Sequence, residues 1–388
     1  MNELTFDTEN TGATNGTKAH PFTPSNRCCV VGVSLNGEPS SSIPIEYSNG
    51  PYGEHLERFR KLVKEAKLLI GFNIKYDLHW IKRYGVSFRH CNVWDTQLAH
   101  FILSRHKNIL PSLDQVADSW DLGRKLDIVR TRYWENGIDT DGVPYDTLTE
   151  YCNHDVDLTY QIYQKQKAYL SDKPQLRKSI WMACQDLLTT QEMEYNGLKG
   201  DFEQMQKEGL VLRSQIGEID RQLQTFVNLP VDLNWSSGDH LSAFLYGGVV
   251  KKKERESYIF TYKDGHTAEK QRWIVKEYQL PRLVDPLPKT ELAKEGYYET
   301  SHPVIQQLPK KGVMRQIIPL LFKRAELEQR ASTYYEGWQI LYKKMMWENG
   351  IVHGNLNHCI AATSRLSSSK PNQQNIDKEF LKCIITRF

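Results

Sequence analysis

Asp7 and Glu9 stand two residues apart in the β-like run LTFDTENTG. Side chains alternate along a strand, so both carboxylates project from one face. Two acids side by side on an inner sheet face repel unless something positive sits between them, and a divalent metal ion is the usual partner. Asp77, in GFNIKYDLHWI, follows a strand-like run and opens a helical pattern, so it can point back over the strand end. In LTEYCNHDVDL, Tyr151 and Asp155 are four apart on a helical pattern and share one helix face. Taken singly, each signal is weak. An Asp at a helix start is more often an N-cap, and a Tyr–Asp pair is more often a structural hydrogen bond. In this order within one α/β segment they form a strong combination. His154 adjoins Asp155 but faces away from it on the helix, Asp95 in VWDTQLAHFIL reads as the cap of the next helix, and Asp157 reads as solvated. The loop NTGATNG after Glu9 lacks the spacing of a phosphate cradle and reads as a strand connection. A second polar group, AATSRLSSSKPNQQNI (Ala361 to Ile376), carries hydroxyls, amides and one arginine with hardly an apolar side chain, a composition suited to hydrogen bonding with a polar partner.

These side chains need a scaffold. A chain of 388 residues exceeds the roughly 250–300 at which single cores stop growing, so two domains, or one with a long extension, are expected. Lys+Arg 50 against Asp+Glu 47 gives +3, too balanced to announce a polyanion partner, so any nucleic-acid surface must be local. Seven cysteines without a Cys-x-x-Cys pattern fit neither a disulfide framework nor a zinc site and read as reduced thiols of a cytoplasm-like compartment. No run approaches the ~18 apolar residues of a membrane helix, and the N-terminus has no export signal, so no membrane partner is expected.

Up to about residue 170, short β-rich runs alternate with helical patterns. RCCVVGVSL, IPIEY and KLLIGFN read as strands, with helices from about Gly53 and over about 77–84, 95–103, 112–120 and 145–170. SDKPQ breaks the pattern, and the domain boundary is set near Asp172. Long amphipathic helices follow, in RKSIWMACQDLLTTQEMEYNG, DFEQMQKEGLVLRSQIGEIDRQLQTF and MRQIIPLLFKRAELEQRASTYYEGWQILYKKMM. Residues 251–299, with the basic run KKKER, aromatics and prolines, read as a hairpin-like insertion, for which a solvated loop is at least as good a reading as a DNA contact. GIVHGNLNHCIAATS is β-like, and there is no internal repeat.

The acidic set resembles the DEDDy class of 3′–5′ exonucleases: Asp-x-Glu at Asp7 and Glu9, Asn-x-x-x-Asp at Asn73 and Asp77, Tyr-x-x-x-Asp at Tyr151 and Asp155. The resemblance implies an α/β ribonuclease-H-like exonuclease domain over residues 1–172, followed by a mainly α-helical domain. It further implies metal-dependent removal of nucleotides from a 3′ end by two Mg²⁺ (or Mn²⁺) ions, which hard carboxylate oxygens suit. In that scheme Asp7, Glu9 and Asp155 hold the first ion, Asp7 bridges to the second, Asp77 supports the second, and Tyr151 orients the attacking water. Residues 173–388 are similar to the thumb and start of the palm of family-A DNA polymerases of the bacterial and phage type. LLTTQEMEYNGLKGD, LNWSSGDHLSAFL and FKRAELEQRASTYYEG match the thumb, and TSRLSSSKPNQQNI matches the element Thr-x-Thr-Gly-Arg-Leu-Ser-Ser … Pro-Asn-Leu-Gln-Asn-Ile, with Ala361 for the first threonine, Ser364 for glycine and Gln373 for leucine. The resemblance implies that Asn73 belongs to the DNA-contacting motif and that Arg365, Asn372, Gln374 and Asn375 hydrogen-bond primer–template duplex in the minor groove, where acceptors are nearly sequence-independent. In the family the palm aspartates and the fingers lie beyond this element. The expectation is therefore a proofreading exonuclease and DNA-binding part that adds nucleotides only with a separate C-terminal polymerase chain. A stand-alone DNA 3′–5′ exonuclease and a catalytically idle DNA-binding subunit are the alternatives.

Overall fold

A computed structural model describes residues 2–12, 19–47 and 53–386. Of the NTGATNG loop, residues 13–16 lie outside the described residues. The chain divides into two compact units, Met1–Gln204 with Gly337–Phe388, and Met205–Glu336.

In the first unit, β1 (Glu3–Asn10) follows the period-two pattern. Leu4 and Phe6 are buried in the core on one face, Phe6 with its ring centroid 6.0 Å from that of Phe59, while Thr5, Asp7 and Glu9 turn to the other. β2 (Cys28–Leu35) pairs antiparallel with β1, and β3 (Ser41–Pro44) pairs antiparallel with β2 at the edge. After α1 (Gly53–Glu65), β4 (Leu68–Gly71) runs parallel to β1; after α2 (Ile74–Arg83), β5 (Asn92–Asp95) runs parallel to β4. The sheet order is β3-β2-β1-β4-β5. The residues Asn92–Asp95 were not marked as a strand by their pattern, because four residues buried in a parallel position carry no period of their own.

Then come α3 (Thr96–Leu103), α4 (Leu113–Asp118), α5 (Ile128–Arg132) and α6 (Tyr145–Tyr169). α6 buries Leu148, Tyr151, Cys152, Asp155, Val156, Thr159, Ile162, Tyr163 and Gln166, a three-and-four stripe in which Tyr151 and Asp155 are polar members. α7 (Pro174–Asn196) starts with proline at its first turn, where the missing N–H costs nothing. α7 is tied to α2 by Glu194, which takes the Lys75 ammonium and the His79 ring, each at 2.7 Å. β6 (Leu198–Gly200) closes this part.

Most of α8 (Phe202–Val227) belongs to the second unit, with α9 (Gly238–Tyr246), the ribbon β7 (Gly248–Thr261) and β8 (Thr267–Leu280), α10 (His302–Gln307) and α11 (Met314–Arg330). Ion pairs join α8 to α11: Arg324 donates to Asp220 at 2.6 Å, and Arg213 grips Glu328 through one nitrogen at 2.8 Å to both oxygens. The insertion is thus a long antiparallel hairpin. The helical pattern from Met314 onward is not one continuous helix, because a π-helical turn, Ala331–Glu336, interrupts it where the units divide.

Back in the first unit, α12 (Gly337–Lys344) leads to β9 (Ile351–Val352), β10 (Asn355–Asn357), β11 (Ser367–Ser369) and β12 (Ile384–Ile385). β12, β6 and β9 form an antiparallel sheet and β10 pairs with β11. No helix of the described residues is long and apolar enough to cross a membrane. All seven cysteines are buried, and none is joined in a disulfide.

Candidate active site

The acids gather where α2 and α6 meet β1. Asp7 and Glu9 share the α6 face of the strand, and ligand atoms of Asp7, Glu9 and Cys152 lie within 4.8 Å of one another. Close approach of α6 depends on Gly32, the residue directly across from Asp7 on β2. A Cβ there would sit 2.8 Å from the Cys152 sulfur and 2.9 Å from Val156 Cγ2.

Asp77 arrives from the other side. Its Oδ1 accepts the backbone N–H of Thr8 at 3.1 Å and the Thr8 hydroxyl at 2.6 Å, so the residue between Asp7 and Glu9 is what fixes it. Asp95 caps α3 through Leu98 N at 2.9 Å, as its position indicates, but its second oxygen also accepts Ile74 N at 2.9 Å and so seats the first turn of α2, where Asp77 stands. Asn73, just before α2, has a left-handed backbone at φ 54 and is exposed. It opens on a cavity of about 410 Å³ that Lys75, His79, Asn355, Asn357 and Lys370 also line.

On α6, Asp155 is 3% exposed and its Oδ1 has no hydrogen-bond partner among the described residues, while Oδ2 is ion-paired with Lys125. The same ammonium lies 4.9 Å from the Tyr151 ring centroid. Trp134 meets that ring edge-on with centroids 6.0 Å apart. Lys125 lies in the loop between α4 and α5, which its own backbone N–H anchors to Asp114 at 2.7 Å. No spacing in the sequence singles this lysine out. His154 turns to the Arg124 carbonyl at 2.6 Å, and Asp157 is half-buried outside these contacts.

Burial dominates the electrostatics. It pushes the Asp7 carboxyl up to about 7, with the charge of Asp155 adding to the rise and Lys125 opposing it. Glu9, Asp77 and Asp155 are raised for the same first reason, Glu9 and Asp77 also by repulsion from Asp7, and Lys125 pulls Asp155 back. Burial also raises the phenol of Tyr151, which therefore stays protonated. A cluster of acids held against their preference for charge is what a divalent cation would relieve. The donor set fits such a cation: carboxylate oxygens are hard ligands, one of them orphaned and buried. Cys152 does not fit Mg²⁺ or Mn²⁺, because a thiol sulfur is a soft donor and these hard cations take oxygen ligands.

The tail lies in the first unit. Arg365, Asn372, Gln374 and Asn375 are all exposed, and Arg365 has no ion pair among the described residues. Ser364 adopts φ 57, a left-handed conformation that favours the glycine it replaces. Gln373 instead turns inward onto Gly354 and leaves its amide nitrogen buried without a partner among the described residues.

Residues 1–171 match the family model described as 3′–5′ exonuclease, and residues 268–385 the one described as DNA polymerase family A. The chain is similar to DNA polymerase I of Treponema pallidum, 26% identical over 83% of this chain and 28% of that protein. It is also similar to DNA polymerase DpoZ of Acinetobacter phage SH-Ab 15497, 20% identical over 82% of this chain and 49% of that protein. The chain thus spans half or less of the length of these relatives. Its fold is similar to that of the polymerase domain of Pol1 from M. smegmatis, solved with DNA primer–template and dNTP, with TM-score 0.62 at 16% identity over 96% of this chain and 52% of the other.

Proposed function

We propose that the chain is part of a family A DNA polymerase and that its residues 1–171, which match the 3′–5′ exonuclease model, remove nucleotides from the 3′ end of DNA at Asp7, Glu9, Asp77, Tyr151 and Asp155. The observation that carries this reading is the convergence of buried carboxylates from three separate elements on β1: Asp7 and Glu9 on the strand itself, Asp77 of α2 held by Thr8 between them, and Asp155 of α6 beside them with one oxygen lacking a hydrogen-bond partner among the described residues. Isolated caps or surface acids would be neither buried together nor drawn from three elements.

Asp7, Glu9, Asp77 and Asp155 would hold two Mg²⁺ (or Mn²⁺) ions, Asp7, Glu9 and Asp155 the first and Asp7 with Asp77 the second. Bound divalent cations polarise the phosphate and make water a nucleophile near neutral pH. The chain's own residues do the rest. Thr8 fixes one oxygen of Asp77, leaving the carboxylate no freedom to swing away from the strand. The neutral phenol of Tyr151, backed by Trp134, offers a hydroxyl that orients the attacking water but does not serve as a free base. Asn73 contacts the strand end, and the exposed Arg365, Asn372, Gln374 and Asn375 hydrogen-bond primer–template duplex. Residues 173–388 are read as thumb and start of the palm. Nucleotide addition would be supplied by a separate palm-and-fingers chain, in a reducing, cytoplasm-like compartment.

The test is digestion of a 3′-labelled single strand with Mg²⁺. Asp7→Ala and Asp155→Ala should each abolish excision while the fold persists, and EDTA should do the same to the unmutated chain. Excision by Asp7→Ala near the unmutated rate, with contaminating nuclease excluded, would overturn the assignment.

A further inference from the structure

The ribbon β7–β8 has two unlike faces. Register pairs Lys253 with Val275, Arg255 with Trp273 and Ile259 with Glu269 on one face, and Glu254 with Ile274, Glu256 with Arg272 and Lys252 with Lys276 on the other. On the second face cations are matched to acids: Arg272 pairs with Glu256 at 2.8 Å and Lys276 with Glu254 at 3.1 Å. On the first, Lys253 and Arg255 have no ion-pair partner among the described residues, and they stand among side chains that a folded chain normally hides. Ile259 is 75% exposed, Trp273 65% and Val275 57%. The Arg255 guanidinium stacks 5.1 Å from the Trp273 ring centroid. Between residues 248 and 280 there are eight Lys or Arg against five Asp or Glu, an excess of three, as large as the formal +3 of the whole chain.

We propose that this Lys253–Arg255–Trp273 face is a binding surface for single-stranded DNA. Its unpaired cations suit a phosphate backbone, and an exposed indole carrying a guanidinium offers a stacking platform for a base. Duplex DNA keeps its base faces stacked inside, so the exposed aromatic surface selects a strand with unpaired bases. The inference rests on the DNA reading above but concerns a surface separate from the acidic site.

The full 388-residue chain is titrated with fluorescein-labelled dT30 in EDTA over a range of NaCl concentrations. Trp273→Ala should weaken binding about tenfold, the effect of losing one stacked base. Lys253→Gln with Arg255→Gln should lower the slope of log affinity against log salt by about 1.4, at ~0.7 per lost contact to a single strand. Arg272→Gln with Lys276→Gln, on the neutralised face, should leave both unchanged. Failure of the unmutated chain to bind dT30 would remove the DNA reading and this surface with it. Binding by the unmutated chain that Trp273→Ala and the Lys253/Arg255 pair leave intact would overturn the ribbon alone. Equal weakening toward a blunt 30-base-pair duplex would overturn the single-strand assignment. All these positions are exposed, so unchanged melting temperatures verify that affinity and not folding has been altered.

Discussion

Lys125→Met removes the ammonium that sits among the acids while keeping most of the stem. The lysine side chain is 28% exposed and that of its partner Asp155 4%. Removing one member of a buried ion pair costs about 3–5 kcal/mol. Partial exposure of the lysine, and uptake of a proton by the carboxyls left behind, reduce this to about 2–3 kcal/mol at pH 8. At pH 6 the loss should be smaller, since the Asp7 carboxyl, pushed up to about 7, is by then largely neutral. At roughly 2–4 °C per kcal/mol, the metal-free variant should melt about 4–12 °C below the unmutated chain at pH 8 in EDTA. The affinity for Mg²⁺ should move the other way, because ammonium and divalent cation compete for the Asp155 carboxylate. Scanning calorimetry in EDTA at both pH values, with titration calorimetry of Mg²⁺, reads the two effects. A variant that melts with the unmutated chain at pH 8, or binds Mg²⁺ less tightly, would refute the reasoning.

Tyr151→Phe deletes the hydroxyl and no carboxylate, so Mg²⁺ binding should persist while excision slows by ~10² to 10³; calorimetry showing metal binding lost would contradict the assigned role. Gly32→Ala puts a Cβ 2.8 Å from the Cys152 sulfur and should cost about 1–3 kcal/mol by overpacking, with slower excision as α6 is pushed from β1; unchanged urea stability would show that the helix is not held so closely. Asp95 is raised to about 6, chiefly by burial. Its folded pKa lies above its ordinary value, so its contribution is full below about pH 4 and is lost as pH rises through 6. Relative to Asp95→Asn, which does not ionise, the unmutated chain should therefore lose up to about 3 kcal/mol across that window, and a stability difference constant from pH 4 to 8 would contradict this.

The sequence by itself determined what has a local period. The two-residue spacing of Asp7 and Glu9 and the four-residue spacing of Tyr151 and Asp155 decide which side chains share a face, because a strand repeats every two residues and a helix every 3.6. The alternation of short strands with helices decided the α/β class of the first part, and the basic run after Lys251 with its aromatics and prolines pointed to the hairpin. Tertiary structure alone decided whatever joins distant residues. Thr8 seats Asp77 across 69 positions, Gly32 makes room for Cys152, Asp95 reaches back to Ile74, and Lys125 enters from a loop with no pattern. It also decided that β5 is a strand and that residues from Gly337 onward belong to the same compact unit as the acidic site, through the pairing of β6 with β9 and β12. Such pairings depend on loop closure and on burial shared between remote segments, and neither leaves a repeat within any one segment from which it can be read.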